Sequence, residues 1–204
     1  MSDVAAPDYL RSSLGDFLDA VASREPAPGG GAAAAVAVAL AAGLCAMAGR
    51  FAEGRVDDAG DLVARAEGLR ARVAPLAGED ADAYGRVLAA LRLPREPDRA
   101  GRAEAVRAAL SDAADIPLSV AGIAAEVAEI GADLAERGNA NLRGDAVSAA
   151  ALASAGCQAA AALVALNLGD SGDSGDTGDD RAARARRLVA RAAAAADRAL
   201  RVVA

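Results

Sequence analysis

An all-α helical bundle is the fold class that this sequence predicts, on three observations. Apolar residues make up 54% of the 204 residues and aromatics only 2%, so Ala, Leu and Val must fill the core instead of large rings. Ala-rich stretches with few β-branched runs favour helix. No segment alternates apolar and polar with the period of two that a strand requires. A chain of this size predicts one domain, with its own core or one shared with a second copy.

The elements follow in order along the chain. Ser12 or Ser13 can cap a first amphipathic helix, on which Leu14, Phe17, Leu18 and Val21 recur on one face until about Ser23. Breakers from Arg24 to Gly31 separate it from a second helix reaching Phe51. Between Ala32 and Ala48 that helix is wholly apolar apart from Gly43, and its small residues let neighbours approach closely. It is expected at a bundle centre or dimer interface; Ala dominates it and it falls short of the ~20 residues of a membrane span. Asp57 and Asp58 open a third helical region running through Leu91, which Pro75 should bend or split. Leu93-Pro94-Arg95-Glu96-Pro97 ends it, and Asp98 can start the next helix. Pro117 is expected to interrupt the run that reaches Arg137, before the loop Gly138-Asn139-Ala140-Asn141. A further apolar helix from Asp145 to Leu166 is expected to be buried on most sides, with Asn167 at its end. The organisation is thus a helical core over residues 1–168, a flexible acidic Gly/Ser/Asp linker over 169–180, and an Arg-rich terminal helix of the same domain over 181–204.

Composition excludes much chemistry. There is no His, Lys or Trp, and all 22 basic residues are Arg. A His-based triad, a lysine Schiff base and a P-loop lysine are therefore absent. The two cysteines, Cys45 and Cys157, lie far apart in apolar runs and read as small buried hydrophobes, neither a zinc set nor a disulfide framework. A net charge of −7 and a pI of about 4.7 argue against a nucleic-acid surface. The one basic cluster, seven Arg from 181 onward, follows five Asp between 170 and 180 that can neutralise it. The acidic, polar start lacks the pattern of an export signal, so the expected compartment is the cytosol, with no membrane partner.

Polar or breaker residues interrupt the Ala-rich pattern in three places. Pro28, Gly29, Gly30 and Gly31 stand at a helix start, where bare N–H groups can approach an anion or a polar ring edge; a tight turn would use the same residues. Asp80 and Tyr84 share one helix face with Leu88 and Leu91, and an acid there is either paired with an Arg or functional, whereas Asp82 points to solvent. Asn139, Asn141 and Asp145 sit at the mouth of a buried helix, Asp145 being placed for a cap. Without His or Lys, the candidates for general acid or base narrow to Asp80 and Asp145, with Glu126 and Glu129 as outsiders.

These three segments, in this order, resemble the cyclodeaminase domain of formiminotransferase-cyclodeaminase and its stand-alone relatives, the methenyltetrahydrofolate cyclohydrolases. The likeness runs from about Leu14 to Leu168. It rests on Phe17-Leu18 with Pro26 to Gly31, on Asp80-Ala81-Asp82-Ala83-Tyr84 with Leu93-Pro94, and on Gly138 to Asn141 with Asp145 and Asn167-Leu168. The chain departs from the family at Gly144 and Ala32, where hydroxyl residues are usual, and at Arg95, where Lys is common. The resemblance implies an all-helical homodimer with a folate in a cleft between helices. It implies hydrolysis of 5,10-methenyltetrahydrofolate to the 10-formyl form; the alternatives are formiminotetrahydrofolate cyclodeamination with release of ammonia, and a non-catalytic dimer binding a folate or partner. Elimination and resemblance together assign Asp80 and Asp145 to catalysis in one shared cleft. Pro28, Gly29, Gly30, Gly31, Tyr84, Asn139 and Asn141 would bind substrate. No metal is expected, and no cofactor beyond the tetrahydrofolate substrate.

Overall fold

The computed structural model describes residues 8–169 and 179–204. Eight α-helices and one 3-10 turn make up the regular structure among the described residues. They are α1 (Leu14–Ala22), α2 (Gly30–Arg50), α3 (Ala59–Val73), α4 (Leu76–Leu91), α5 (Arg99–Ala113), α6 (Asp115–Arg137), the turn Ala140–Leu142, α7 (Arg143–Leu168) and α8 (Arg181–Arg201). Most of the expected acidic linker, residues 170–178, lies outside the described residues.

Local chemistry accounts for the boundaries. The Ser13 hydroxyl caps α1 by accepting from Asp16 N–H, and Asp98 caps α5 by accepting from Gly101 N–H. Pro75 splits the third region into α3 and α4. Pro117 does not interrupt its helix: the chain breaks earlier, at Ala114, and Pro117 falls in the first turn of α6, where its missing N–H has no intrahelical partner to lose. Asp58 makes no cap hydrogen bond and instead forms a two-pronged pair with Arg137, which lowers its pKa. Arg102 closes α4 by donating to the carbonyls of Leu93 and Leu91, two of the acceptors a helix end leaves open.

Small residues set the packing at the centre, where α2, α6 and α7 meet. A Cβ on Gly131 of α6 would strike the α7 backbone at Ala150 and Ala146, and one on Gly156 of α7 would strike Val38 of α2. Close approach of backbones lets a core of mostly Ala reach interior density around a few larger residues, Ile130, Leu134, Val38 and Val127. The cysteines are free and fully buried, each thiol donating to a carbonyl of α6: Cys45 to Val127 and Cys157 to Ala121. Burial pushes their pKa values up to about 12 and about 11.

Two expectations about faces change. On α1 only Phe17 is buried, edge-on to Tyr9, while Leu14 and Leu18 are exposed. Helices α2 and α7 are long and apolar enough to span a membrane, but about half of each apolar window is buried in the bundle, and one side of each remains open. Among the described residues, the Arg-rich α8 pairs both with α6 and with the residues just before it. Arg191 pairs with Glu129, and Arg198 with Asp133 and Glu136, while Arg181 and Arg187 hold Asp179 and Asp180. That assignment gives Glu129 a structural partner in place of a catalytic role.

Candidate active site

The first turn of α2 is the foundation of the site. Gly29 precedes it with no side chain to cap it, so the first N–H groups need acceptors from elsewhere. One comes from α4: Asp80 accepts from the N–H of Ala32, its carboxylate lying over Gly31. A Cβ on Gly31 would occupy the space that the carboxylate fills, so a glycine is required there by close approach. Burial raises the Asp80 pKa, and the Ala32 N–H offsets part of that rise. No Arg bonds to Asp80 among the described residues, so the ion-pair reading of this acid does not hold.

A cleft of about 280 Å³ opens beside this carboxylate, lined by Gly29, Gly30, Gly31, Asp80 and Tyr84, with Leu163 and Asn167 from the last turns of α7. Pro26, Ala27, Ala81, Ala83 and Ala113 complete the wall. Tyr84 stands one turn beyond Asp80 and is 44% exposed, its ring at the opening. Pro28 is buried and is not part of the lining. Asp82 is exposed, as its position on the helix requires. Nearby, burial raises the Tyr9 pKa, and the charges of Asp82 and Asp80 raise it further.

The third segment lies elsewhere in the chain. Asp145 is in the first turn of α7, whereas Leu163 lines the cleft eighteen residues further on, about 27 Å along the helix at 1.5 Å per residue. Within one chain, therefore, Asp80 and Asp145 do not share a cleft. Nor does Asp145 cap its helix, since the cap position is Leu142 and carries no side-chain bond. Asn139 is committed at both ends of its amide: Nδ2 donates to the Phe51 carbonyl at 3.2 Å and Oδ1 accepts from Asn141 N–H at 3.0 Å. It ties the loop to the end of α2 and has a structural role. Asn141 itself is exposed.

Sequence reasoning omitted Leu163, Asn167 and Ala113 from the site. Asn167 carried a signal, a lone amide ending an apolar helix; its Nδ2 donates to the Ala113 carbonyl at 3.1 Å and fixes that wall of the cleft. Ala113 and Leu163 carried none, because an Ala or Leu on a helix gives no indication that its exposed edge lines a cavity. The arrangement offers one carboxylate of raised pKa, a row of helix N–H groups and a neutral amide around an organic-sized space. It suits proton transfer on a flat polar molecule.

The formiminotransferase-cyclodeaminase family model matches residues 13–200. Methenyltetrahydrofolate cyclohydrolase of Methylorubrum extorquens is 34% identical over 163 residues, covering 76% of this chain and 78% of the relative. The fold matches the crystal structure of formiminotetrahydrofolate cyclodeaminase from Thermotoga maritima with a TM-score of 0.82 and 28% identity, over 95% of this chain and 96% of that one. The family model and the matched fold each span nearly the whole chain, and this chain belongs to the formiminotransferase-cyclodeaminase family.

Proposed function

We propose that this protein hydrolyses 5,10-methenyltetrahydrofolate to 10-formyltetrahydrofolate. The observation that carries the reading is Asp80, a partly desolvated carboxylate lining a cleft, with no Arg bonded to it in a chain that has 22. The bridge carbon of this substrate sits between N5 and N10 in a cationic unit, which an anion left unneutralised attracts. Water adds to that carbon and Asp80 takes its proton. The carbon–N5 bond then breaks, N5 gains a proton, the carbonyl stays on N10, and one proton leaves to solvent. A raised pKa suits a carboxylate that must both take a proton and return it. The N–H groups opening α2 would hold the pterin edge or a folate carboxylate. In this reading the enzyme works in the cytosol as a homodimer, with no metal and no cofactor besides the folate.

Likeness to the Thermotoga cyclodeaminase supports a second reading, in which a folate nitrogen attacks the formimino carbon and ammonia leaves. An absorbance assay of methenyltetrahydrofolate decay, corrected for the spontaneous reaction, tests the first. A rate no greater than buffer would remove it. Ammonia release from formiminotetrahydrofolate tests the second, and folate binding without turnover of either substrate would identify a non-catalytic dimer.

A further inference from the structure

We infer that the groove between α5 and the end of α7 is a second subsite beside the Asp80 cleft, in which the benzoyl-glutamate half of the folate lies along α5 with its carboxylates on Arg107. The inference rests on the folate reading above and adds what holds the part of the substrate that does not react.

Size calls for such a subsite. The cleft beside Asp80 encloses about 280 Å³, at the bottom of the ~300–1,000 Å³ that drug-sized ligands occupy. A methenyl folate joins three fused rings to a benzoyl ring and a glutamate, so the reacting end fills that space and the rest must leave it. A second cavity, of about 420 Å³, adjoins the cleft, Asn167 lining both. Its walls are Val106, Arg107, Leu110 and Ser111 of α5 with Leu166 and Leu168 of α7. Together with Ala103, the four α5 residues recur at the spacing of one helix face. The bundle leaves that face partly open, since α5 buries Ala113 alone, and Leu166 of α7 is 74% exposed.

Order and charge fit the tail of a folate to this groove. Ala113 lines the cleft, and Leu110 and Arg107 lie three and six residues before it on α5, about 5 Å and 9 Å along the axis. In the same order, N10 of the substrate is followed by a benzoyl ring, an amide and two carboxylates. The ring meets Leu110 and Leu166, and the carboxylates meet Arg107. That guanidinium is 65% exposed and pairs with Glu104 one turn away, an exposed contact that a ligand carboxylate can displace. Its planar fork takes a carboxylate through two parallel N–H donors. The acid in the groove wall, Asp179, is already held by Arg181 through both carboxylate oxygens, so it sets no free negative charge against the ligand. Charge argues against the cavity of about 250 Å³ beside the start of α4, whose walls carry Asp8, Glu79 and Asp82 and, among the described residues, no cation. With the carboxylates held on α5, the N–H groups opening α2 are left to the pterin edge.

Calorimetry tests the subsite without turnover, using 5-formyltetrahydrofolate, a stable folate, and its bis-amide, in which both glutamate carboxylates are neutral. Wild type should bind the bis-amide roughly 5- to 10-fold more weakly than the acid, the range between an exposed ion pair and a hydrogen bond to a charge. Arg107→Gln should bind both ligands with that same reduced affinity, because the charge it contacts is what distinguishes them. Glu104→Gln removes the competing carboxylate and should tighten the acid without changing the bis-amide. Both positions are exposed, so the variants should keep the wild-type fold, which circular dichroism checks. Unaltered affinity of Arg107→Gln for the acid, or an equal loss for acid and bis-amide, overturns the inference. A wild type that binds neither ligand, or does not distinguish them, overturns it as well. Methenyltetrahydrofolate hydrolysis is read separately: tail-dependent binding without turnover supports the subsite and strikes the hydrolysis reading, which keeps the two failures distinct.

Discussion

Gly30 and Gly31 are adjacent in the first turn of α2, yet the structure gives them opposite tolerances. A Cβ on Gly31 would fall on the Asp80 carboxylate, whereas one on Gly30 would sit 4.0 Å from Leu163 Cδ1, an ordinary contact. In Gly31→Ala the carboxylate must rotate away and release the Ala32 N–H. Alanine in a helix gains about 0.5–1 kcal/mol over glycine. Forcing Asp80 off its rotamer costs of order 0.5–1.5 kcal/mol, and the lost hydrogen bond to a charged group about 1.5–3 kcal/mol. The net destabilisation is about 1–4 kcal/mol, which lowers Tm by roughly 2–16 °C for a chain of this size and leaves the protein folded. A displaced general base loses far more in rate, roughly 10²-fold and up to ~10⁴-fold. Gly30→Ala should match or exceed the wild-type Tm and keep most of the activity. The assay is methenyltetrahydrofolate decay by absorbance beside thermal unfolding by circular dichroism. Full activity in a folded Gly31→Ala protein would show that the position of this carboxylate is not what drives the reaction.

Other expectations follow from the same geometry. Because the folded-state pKa of Asp80 is raised, the native state holds that proton more tightly than the unfolded chain, so this group lowers stability as pH rises through the unfolded and then the folded value. Asp80→Asn, which can still accept from Ala32 N–H, should therefore gain stability relative to wild type between acid and neutral pH in denaturant titrations; a pH-independent difference would contradict the burial. The wild-type rate should fall on the acid side with an apparent pKa above the ordinary 3.8 of Asp, and an acid limb at or below 3.8 would remove Asp80 as the titrating base. Gly131→Ala presses a methyl onto the α7 backbone and should cost about 1–3 kcal/mol, read as a lowered denaturation midpoint, while Gly122→Ala, with open space beside it, should not. Cys45 and Cys157, buried and with raised pKa values, should react with a thiol reagent only as fast as the protein opens; rapid labelling of the native form would show the core to be loosely packed.

By itself the sequence determined the helical class and many of the boundaries, though not the break at Ala114 or the start of α7 at Arg143. Ser13 and Asp98 cap as their side chains dictate, Pro75 separates α3 from α4, and the Ala-rich runs become the close-packed centre, because each of these effects is local along the chain. It also singled out Asp80 beside the glycine turn, an acid standing on an otherwise apolar face. What only the tertiary structure decided concerns direction and distance. The leucines of α1 and the outer side of α2 look toward solvent although their spacing is that of buried faces, since helical periodicity reports that a face is apolar and not what covers it. Glu129 and Arg191 find each other across 62 residues, which took Glu129 out of the candidates. Asp80 and Asp145 belong to neighbouring motifs of one site when read along the chain, yet a straight helix of 26 residues holds its two ends apart. A rigid rod fixes separation by its length, and sequence order cannot reveal whether one chain or two must supply both ends.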